Sequence, residues 1–178
     1  AEPQAGALPR GVAAPCGCPG PGLELAGPVI LVCIDQFLTA MLQSAMPTLS
    51  ELSAFLVREF PQTRCSIVSV GDRAATIRHE VGEAELRPGG TVSGPVMMAT
   101  ADVALYVAIL GEIGIVPLAV TTNLSFNFMR KPAGDRAIIG ECRLMKVGRT
   151  LAVGEVMLYS EGLDEPVAHA VGTYAIPR

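Results

Sequence analysis

The chain has 178 residues, of which 50% are hydrophobic and 17% are charged, and its net charge is −4. This composition excludes a disordered chain, since there is enough apolar surface for a core, and the length fits one domain. The negative charge argues against a nucleic-acid or anionic membrane surface, which would need a basic excess. Five scattered cysteines indicate a reducing, cytoplasmic compartment instead of a disulfide framework.

Residues 1–45 are interpreted as a loosely ordered, low-complexity extension in front of a domain that spans residues 46–178. The extension begins with a stretch rich in Gly, Pro and Ala that has no helical or strand period. Such a composition buries too little apolar area to offset the entropy of the chain. Cys16-Gly-Cys18 has no second pair that would complete four metal ligands, so no metal site is expected.

The apolar run Val29–Leu42 is the remaining feature of the extension. It is interrupted by Asp35-Gln36, and no clear cleavage site follows, so a signal peptide is not expected. A functional protein that begins near Met41 or Met46 is the alternative interpretation.

The ordered part is expected to begin with a helix and a β-hairpin. Thr48–Glu51 has the pattern of a capping box, apolar residues follow at helical spacing, and Phe60-Pro61 ends the helix. Two strand-like runs, Cys65–Val70 and Ala74–Val81, flank Gly71-Asp72, which is a hairpin turn signal.

A glycine-rich turn then leads into the segment around which the rest of the chain is organised. Ser93 or Gly94 can cap a helix, and Pro95 suits the first helical turn because its missing N–H would have no partner there. Val96–Leu110 is apolar on every face except for Asp102, and Gly111 and Gly114 are expected to close the helix. A helix of this kind must be buried all round, and its 15 residues are too few to span a bilayer. Burying an ionised carboxylate is costly, so Asp102 is expected to have either a hydrogen-bonding or charged partner or a functional role.

Four strand-like runs follow Pro117, and short breaks separate them. They are Leu118–Met129, Arg136–Val147, Thr150–Ser160 and Pro166–Ile176. Short breaks make antiparallel neighbours, so we expect an α+β fold in which an antiparallel sheet of about six strands wraps one long central helix. One sheet covers only part of a helix, so the other side is expected to meet a second subunit.

Five motifs succeed one another between Ser93 and Tyr174. They are the helix start Ser93-Gly94-Pro95, the acid Asp102, the strand Thr121–Ala133, the turn Gly148-Arg149-Thr150 and the closing strand Val167–Tyr174. In this order they resemble the hot-dog-fold acyl-CoA thioesterases of the phenylacetate-degradation (PaaI-type) family. The resemblance covers roughly residues 48–177, and it identifies residues 46–178 as a hot-dog thioesterase domain.

The resemblance implies a set of catalytic roles. Asp102 would act as general base or nucleophile on an acyl-CoA thioester, and the Gly94 N–H at the helix N-terminus would polarise the carbonyl. Ser93 replaces the usual His of the family, which positions the turn or the water. Pro95 replaces a Gly, so a second N–H donor is lost.

Further residues are implied as substrate contacts. Thr121, Thr122 and Asn123 lie on the strand where the family holds the attacking water. Strand alternation would turn Thr121 and Asn123 to one face and Thr122 to the other. Ordinary strand residues are the alternative interpretation for each of them.

Tyr106 and Met98 lie one helical turn after and before the acid, so both could line an acyl pocket, with core packing as the alternative. Three basic residues at strand ends could contact the phosphates of coenzyme A, with solvated surface charge as the alternative. These are Arg130, Lys131 and Arg149.

The expected function is hydrolysis of an acyl-CoA by a homodimer or a dimer of dimers, with no cofactor besides the coenzyme A of the substrate. A non-catalytic acyl-CoA binding or sensing protein is the alternative, because the usual His is missing. A hot-dog dehydratase is a third option, although this helix start lacks its His-plus-acid pair. His79 and His169 lie on strand-like runs away from the helix start and are expected to be structural. No Gly-x-Ser-x-Gly elbow of a serine hydrolase is present.

Overall fold

The computed structural model of the chain describes residues 46–177. The expected extension at residues 1–45, the pair Cys16-Gly-Cys18 and the run Val29–Leu42 lie outside the described residues. The described elements are α1 (Leu49–Glu59), β1 (Cys65–Gly71), β2 (Ala74–His79), a 3-10 turn (Glu83–Glu85), β3 (Leu86–Arg87), β4 (Thr91–Val92), α2 (Gly94–Ile113), β5 (Val120–Phe128), β6 (Ile138–Val147), β7 (Leu151–Ser160) and β8 (Pro166–Ala175).

Helix α1 begins with the predicted capping box. The Thr48 side chain accepts from the Glu51 N–H, and the Glu51 carboxylate accepts from the Thr48 N–H. Leu52, Phe55 and Leu56 form its buried face. These three residues lie at helical spacing and so form one apolar face, which packs on β1 and α2. This packing stabilises the helix in addition to its cap.

The six long strands form one antiparallel sheet in the order β1-β2-β6-β7-β8-β5. The hairpin between β1 and β2 is confirmed, and its central residues Asp72 and Arg73 have φ of 50° and 59°. Both values lie in the left-handed region that tight two-residue hairpins require. The expected architecture, a long helix against an antiparallel sheet of about six strands, is confirmed. Strands β3 and β4 form a small separate hairpin around the glycine-rich turn, which the sequence did not indicate.

Helix α2 is longer than expected. It runs through Gly111 and ends at Gly114, where φ is 90°. Gly111 does not terminate the helix, because its role is close approach to the sheet. A Cβ at this position would lie 2.5 Å from Val70 Cγ2. At 20 residues α2 could cross a membrane by length and composition, but 56% of its most apolar stretch is buried inside the domain, as in a core helix.

One face of α2 remains uncovered in the single chain, as expected of a helix that one sheet covers only in part, and its burial against a second subunit stays a prediction. Ten of its residues are buried against the sheet. Pro95, Met98 and Ala99 are exposed, and Asp102 and Val103 are half-buried. These five positions follow the spacing of one helical face, so the helix presents a continuous, mostly apolar surface beside strand β5.

Candidate active site

Asp102 lies in the middle of α2, and side chains of the sheet hold one of its two carboxylate oxygens. Thr121 Oγ1 on β5 donates to Asp102 Oδ1 over 2.6 Å. Tyr174 OH on β8 donates to the same oxygen over 2.6 Å and lies 3.0 Å from the Asp102 backbone oxygen. Among residues 46–177, no group donates to Oδ2. Oδ1 is therefore held in place by two hydrogen bonds, and Oδ2 is free to accept a proton or to attack a substrate.

The sheet brings the two donors to the same point. Thr121 and Tyr174 are direct partners in the ladder between β5 and β8. Only 2% of Tyr174 is exposed. Burial, followed by the charge and hydrogen bond of Asp102, raises the pKa of the Tyr174 phenol far above its ordinary value. Tyr174 therefore keeps its proton and acts as a donor, never as a base, in the physiological range.

Asp102 opens onto an apolar cavity of ≈ 370 Å³ between α1, α2 and the sheet. Its lining comprises Leu56, Phe60, Asp102, Val103, Tyr106, Pro117, Ala119, Val120, Thr121 and Tyr174. The predicted role of Tyr106 as a pocket residue agrees with this lining. Its ring lies 5.7 Å from that of Phe60 and 6.1 Å from that of Tyr174, and its hydroxyl donates to the Pro117 carbonyl. We name this space the Asp102 cavity.

Gly94 lies in a second cavity, of ≈ 350 Å³, at the start of α2. Its lining comprises Arg87, Thr91, Val92, Gly94, Met97, Phe128, Met129, Arg130, Lys131 and Pro132. We name this space the Gly94 cavity. A Cβ on Gly94 would lie 3.2 Å from the Phe128 ring, so a side chain there would be tight. The Gly94 N–H belongs to the first turn of the helix, where backbone donors have no partner within the helix.

Ser93 occupies the N-cap position of α2, but its side chain makes no capping hydrogen bond. Its backbone oxygen accepts from the Met97 N–H over 3.4 Å, and its N–H donates to the Glu85 carbonyl over 2.9 Å. The hydroxyl is therefore not required by the local helix start, which leaves it available for another partner.

The expected alternation along β5 is wrong, because the strand contains a bulge. Thr121 pairs with Tyr174 and Asn123 pairs with the adjacent Thr173, so Thr122 is an extra residue in the ladder. Thr122 Oγ1 donates to the Thr173 carbonyl, and Asn123 is exposed and lines neither cavity. Only Thr121 of the three contacts Asp102.

Two other predicted substrate contacts lie outside both cavities in the single chain. Met98 is 39% exposed on the uncovered face of α2. Arg149 is exposed in the connection between β6 and β7, away from both linings. Arg130 and Lys131 do lie in the Gly94 cavity, and Arg130 Nε is 2.9 Å from a carboxylate oxygen of Glu165.

The two histidines have structural surroundings, as expected. His79 is buried between Cys65 Sγ at 3.3 Å and Glu85 Oε1 at 2.8 Å. His169 lies 3.6 Å from a carboxylate oxygen of Glu155 on the neighbouring strand. Within residues 46–177, no group of three or more His, Cys, Asp or Glu side chains is arranged to hold a metal ion.

Comparison with known proteins decides the family. Residues 89–167 match the model of the thioesterase superfamily. A candidate thioesterase from Silicibacter sp. TM1040, known from a crystal structure, is 48% identical in sequence to this chain. The match covers 75% of this chain and 94% of that one, and the two structures superpose with a TM-score of 0.70. This chain belongs to the thioesterase superfamily.

More distant structures share the fold of this thioesterase. The Escherichia coli PaaI protein of the phenylacetic acid degradation operon is 17% identical, with a TM-score of 0.63 and coverage of 74% of this chain and 97% of that one. Zebrafish thioesterase superfamily member 2 is 21% identical, with a TM-score of 0.66 and coverage of 74% and 99%. A search of curated proteins gives no match. The hot-dog fold and the resemblance to PaaI-type thioesterases are therefore confirmed.

Proposed function

We propose that this thioesterase hydrolyses acyl-CoA thioesters, with Asp102 as the catalytic carboxylate. The observation that carries the proposal is the state of that carboxylate. One oxygen is held by Thr121 and Tyr174, while the other has no protein donor among the described residues, beside an apolar cavity able to take an acyl group. A free carboxylate oxygen in such surroundings suits attack or proton abstraction.

Two balanced routes are open to Asp102. As a general base, it takes a proton from water while the water oxygen bonds to the thioester carbon; the C–S bond then breaks and the proton passes to the coenzyme A thiolate. As a nucleophile, it bonds to the same carbon and expels the thiolate, and water then cleaves the resulting anhydride and restores the carboxylate. Both routes give a free acid and coenzyme A. In both, a backbone N–H such as that of Gly94 would stabilise the charge that develops on the carbonyl oxygen.

The separation of Gly94 and Asp102 supports a site shared between two subunits. They are eight positions apart on α2, which is about 12 Å along the helix axis. They line different cavities that have no lining residue in common. A single thioester carbonyl is too small to touch both groups of one chain. We therefore propose that Gly94 of one subunit and Asp102 of another act on the same substrate.

The surface beside Asp102 suits a second copy of the chain. Strand β5 is at the edge of the sheet, and most of its residues are exposed, including Val120 at 55% and Phe128 at 54%. An open edge with apolar side chains favours pairing with another strand. The uncovered face of α2 lies next to it. We propose a homodimer, or a dimer of dimers, that uses both surfaces, and light scattering at micromolar concentration should give at least twice the mass of the chain. A monomer with an intact fold would contradict this assembly.

The Gly94 cavity supports coenzyme A as the leaving group. Arg87, Arg130 and Lys131 bring positive charge to a space that also contains the N-terminus of α2. Helix N-termini and basic side chains both favour phosphate oxygens. Since Arg130 also pairs with Glu165, Arg87 and Lys131 are the residues that we expect to matter most for affinity.

The first experiment measures thiol release from a panel of acyl-CoAs and from matching thioesters that lack the nucleotide part. We expect turnover of both substrates, with the acyl-CoA bound more tightly. Lys131→Gln should raise KM for the acyl-CoA and leave KM for the short thioester unchanged. Equal effects on both substrates would contradict a role in phosphate binding.

The second experiment tests the shared site by complementation. Asp102→Asn removes the carboxylate, and Gly94→Pro removes the N–H; each variant alone should be nearly inactive. Gly94→Ala, which adds a Cβ against Phe128 but keeps the N–H, is the control for the tight fit at this position. When equal amounts of the two subunits are combined, about half of the dimers are mixed and each of these has one intact site, so about a quarter of the wild-type activity should return. No recovery in dimers proven to be mixed would refute the shared site.

The alternative is an acyl-CoA binding protein without turnover. The observation in its favour is the helix start, where Ser93 replaces the family's His and Pro95 has no N–H to offer. Tight binding of acyl-CoAs without thiol release across the panel would establish this alternative.

A further inference from the structure

The hydroxyl of Tyr174 takes no part in the bond changes at the thioester, yet it contacts the carboxylate of Asp102. It is one of two donors that converge on Asp102 Oδ1, and it is the buried one. A phenol has one hydrogen to donate, and in the described part of the chain its acceptors are two oxygens of the same residue, Asp102 Oδ1 and the backbone oxygen. The one hydrogen that Tyr174 donates is therefore directed at Asp102.

The location of Tyr174 makes it a rigid support. It belongs to β8, which is paired on both sides, with β7 and with β5. Its ring packs 6.1 Å from that of Tyr106 inside the core. Thr121, the second donor, is an exposed residue of the edge strand. Of the two donors, the one on the paired strand is the better able to fix a rotamer, because its own position is over-determined by packing.

We propose that Tyr174 is the positioning residue for the catalytic carboxylate: by donating to Oδ1 it fixes the rotamer of Asp102 and leaves Oδ2 as the oxygen that reacts. This inference rests on the proposed function of Asp102. A carboxylate held in one orientation reaches the reacting geometry without further loss of freedom, which is the ordinary benefit of preorganisation.

The test is Tyr174→Phe, which removes the hydroxyl and keeps the ring. We expect kcat to fall by roughly 10- to 100-fold, the range for losing a hydrogen bond to a charged group, while KM changes little. We also expect the Asp102 side chain to sample more than one rotamer in this variant, where the wild type holds one, and the three-bond couplings of its β protons measure this by NMR.

Tyr106→Phe is the matched control. It removes a hydroxyl from the same cavity, but that hydroxyl donates to the Pro117 carbonyl and not to Asp102. Whatever it does to KM, it should leave Asp102 in the single rotamer of the wild type. Equal rotamer averaging in both variants would mean that the effect comes from the cavity and not from the contact with Asp102.

A readout without substrate separates this inference from the proposed function. The couplings of the Asp102 β protons can be measured in the free protein. They should show rotamer averaging in Tyr174→Phe and a single rotamer in the wild type and in Tyr106→Phe. If no acyl-CoA is hydrolysed but the single rotamer is lost in Tyr174→Phe, the proposed function fails and the contact stands. If thioesters are hydrolysed but Asp102 keeps its single rotamer in Tyr174→Phe, Tyr174 is not a positioning residue.

A Tyr174→Phe variant that does not fold would still leave a decisive measurement on the wild type. The Tyr174 hydroxyl proton should give a protected, downfield NMR signal, because it is buried and donates to a carboxylate. A signal that exchanges freely with water would overturn the proposal.

Discussion

The helix that carries Asp102 approaches the sheet closely over two facing glycines, and one of them gives a sharp prediction. Gly154 and Gly172 are direct partners in the ladder between β7 and β8, and both lie under Leu105 of α2. A Cβ on Gly172 would lie 2.4 Å from Leu105 Cδ1, whereas ordinary van der Waals contact begins at 3.4 Å. Leu105 is 0% exposed, so it has no open space into which it can move.

Gly172→Ala should therefore overpack the core and lower the free energy of unfolding by roughly 1–3 kcal/mol. For chains of this size, each kcal/mol corresponds to about 2–4 °C in melting temperature. Leu105 is one helical turn from Asp102, and Gly172 is two residues before Tyr174 on β8. We therefore expect the same substitution to disturb the Asp102 contact and to lower turnover as well. Gly140→Ala is the graded control, since its Cβ would lie 3.3 Å from the Thr100 methyl group and should cost less.

A double-mutant cycle tests the cause. Leu105→Ala alone should cost roughly 2–5 kcal/mol, because it removes a fully buried side chain. In that background Gly172→Ala should cost almost nothing, since the new methyl group enters the vacated space. Melting should be followed at one fixed protein concentration, because assembly makes the midpoint depend on concentration. Additive losses in the cycle would refute the packing argument.

Two further predictions concern the turn before α2. Burial alone would raise the pKa of the Glu85 carboxyl, but hydrogen bonds from the Gly82 N–H and from His79, with the charges of His79 and Arg64, outweigh it and hold the pKa below its ordinary value. The resulting stability is present above the unfolded-state pKa and is lost as pH falls through the folded-state value. Denaturant unfolding at neutral pH should therefore show Glu85→Gln to be less stable than the wild type by roughly 1–3 kcal/mol. The difference should vanish in acid, and a difference that stays constant with pH would contradict this. Ser93→His should keep or raise thiol release, because the Ser93 side chain makes no capping bond to lose, whereas complete loss would give Ser93 a role of its own.

Local sequence patterns were sufficient for most of the fold. The capping box at Thr48–Glu51 and the short breaks after Pro117 act within a few residues, and both correspond to observed elements. Of the two glycines expected to close α2, Gly114 does so and Gly111 does not, because a glycine can serve either to stop a helix or to allow close packing. Only the contact of Gly111 with Val70, far away in the sequence, separates the two uses.

The candidate site was only partly predictable for a similar reason. Asp102 could be singled out, since a lone charge in an apolar helix is visible in the sequence. The bulge at Thr122 could not, because it depends on how β5 pairs with β8, and it decides which strand residue meets the carboxylate. The donor Tyr174 lies 72 positions after Asp102, and no local spacing signals a contact over that distance.

Turnover of the Asp102→Asn variant is the most direct test of the central claim. The substitution keeps the shape of the side chain and an oxygen that can accept from Thr121 and Tyr174, but it removes the basicity and most of the nucleophilicity. We expect kcat on the best acyl-CoA to fall by roughly 10²-fold or more, with acyl-CoA affinity and melting temperature maintained. Asp164→Asn, at an exposed position between β7 and β8, is the control and should keep full turnover. Unchanged turnover in a folded Asp102→Asn protein would contradict the account.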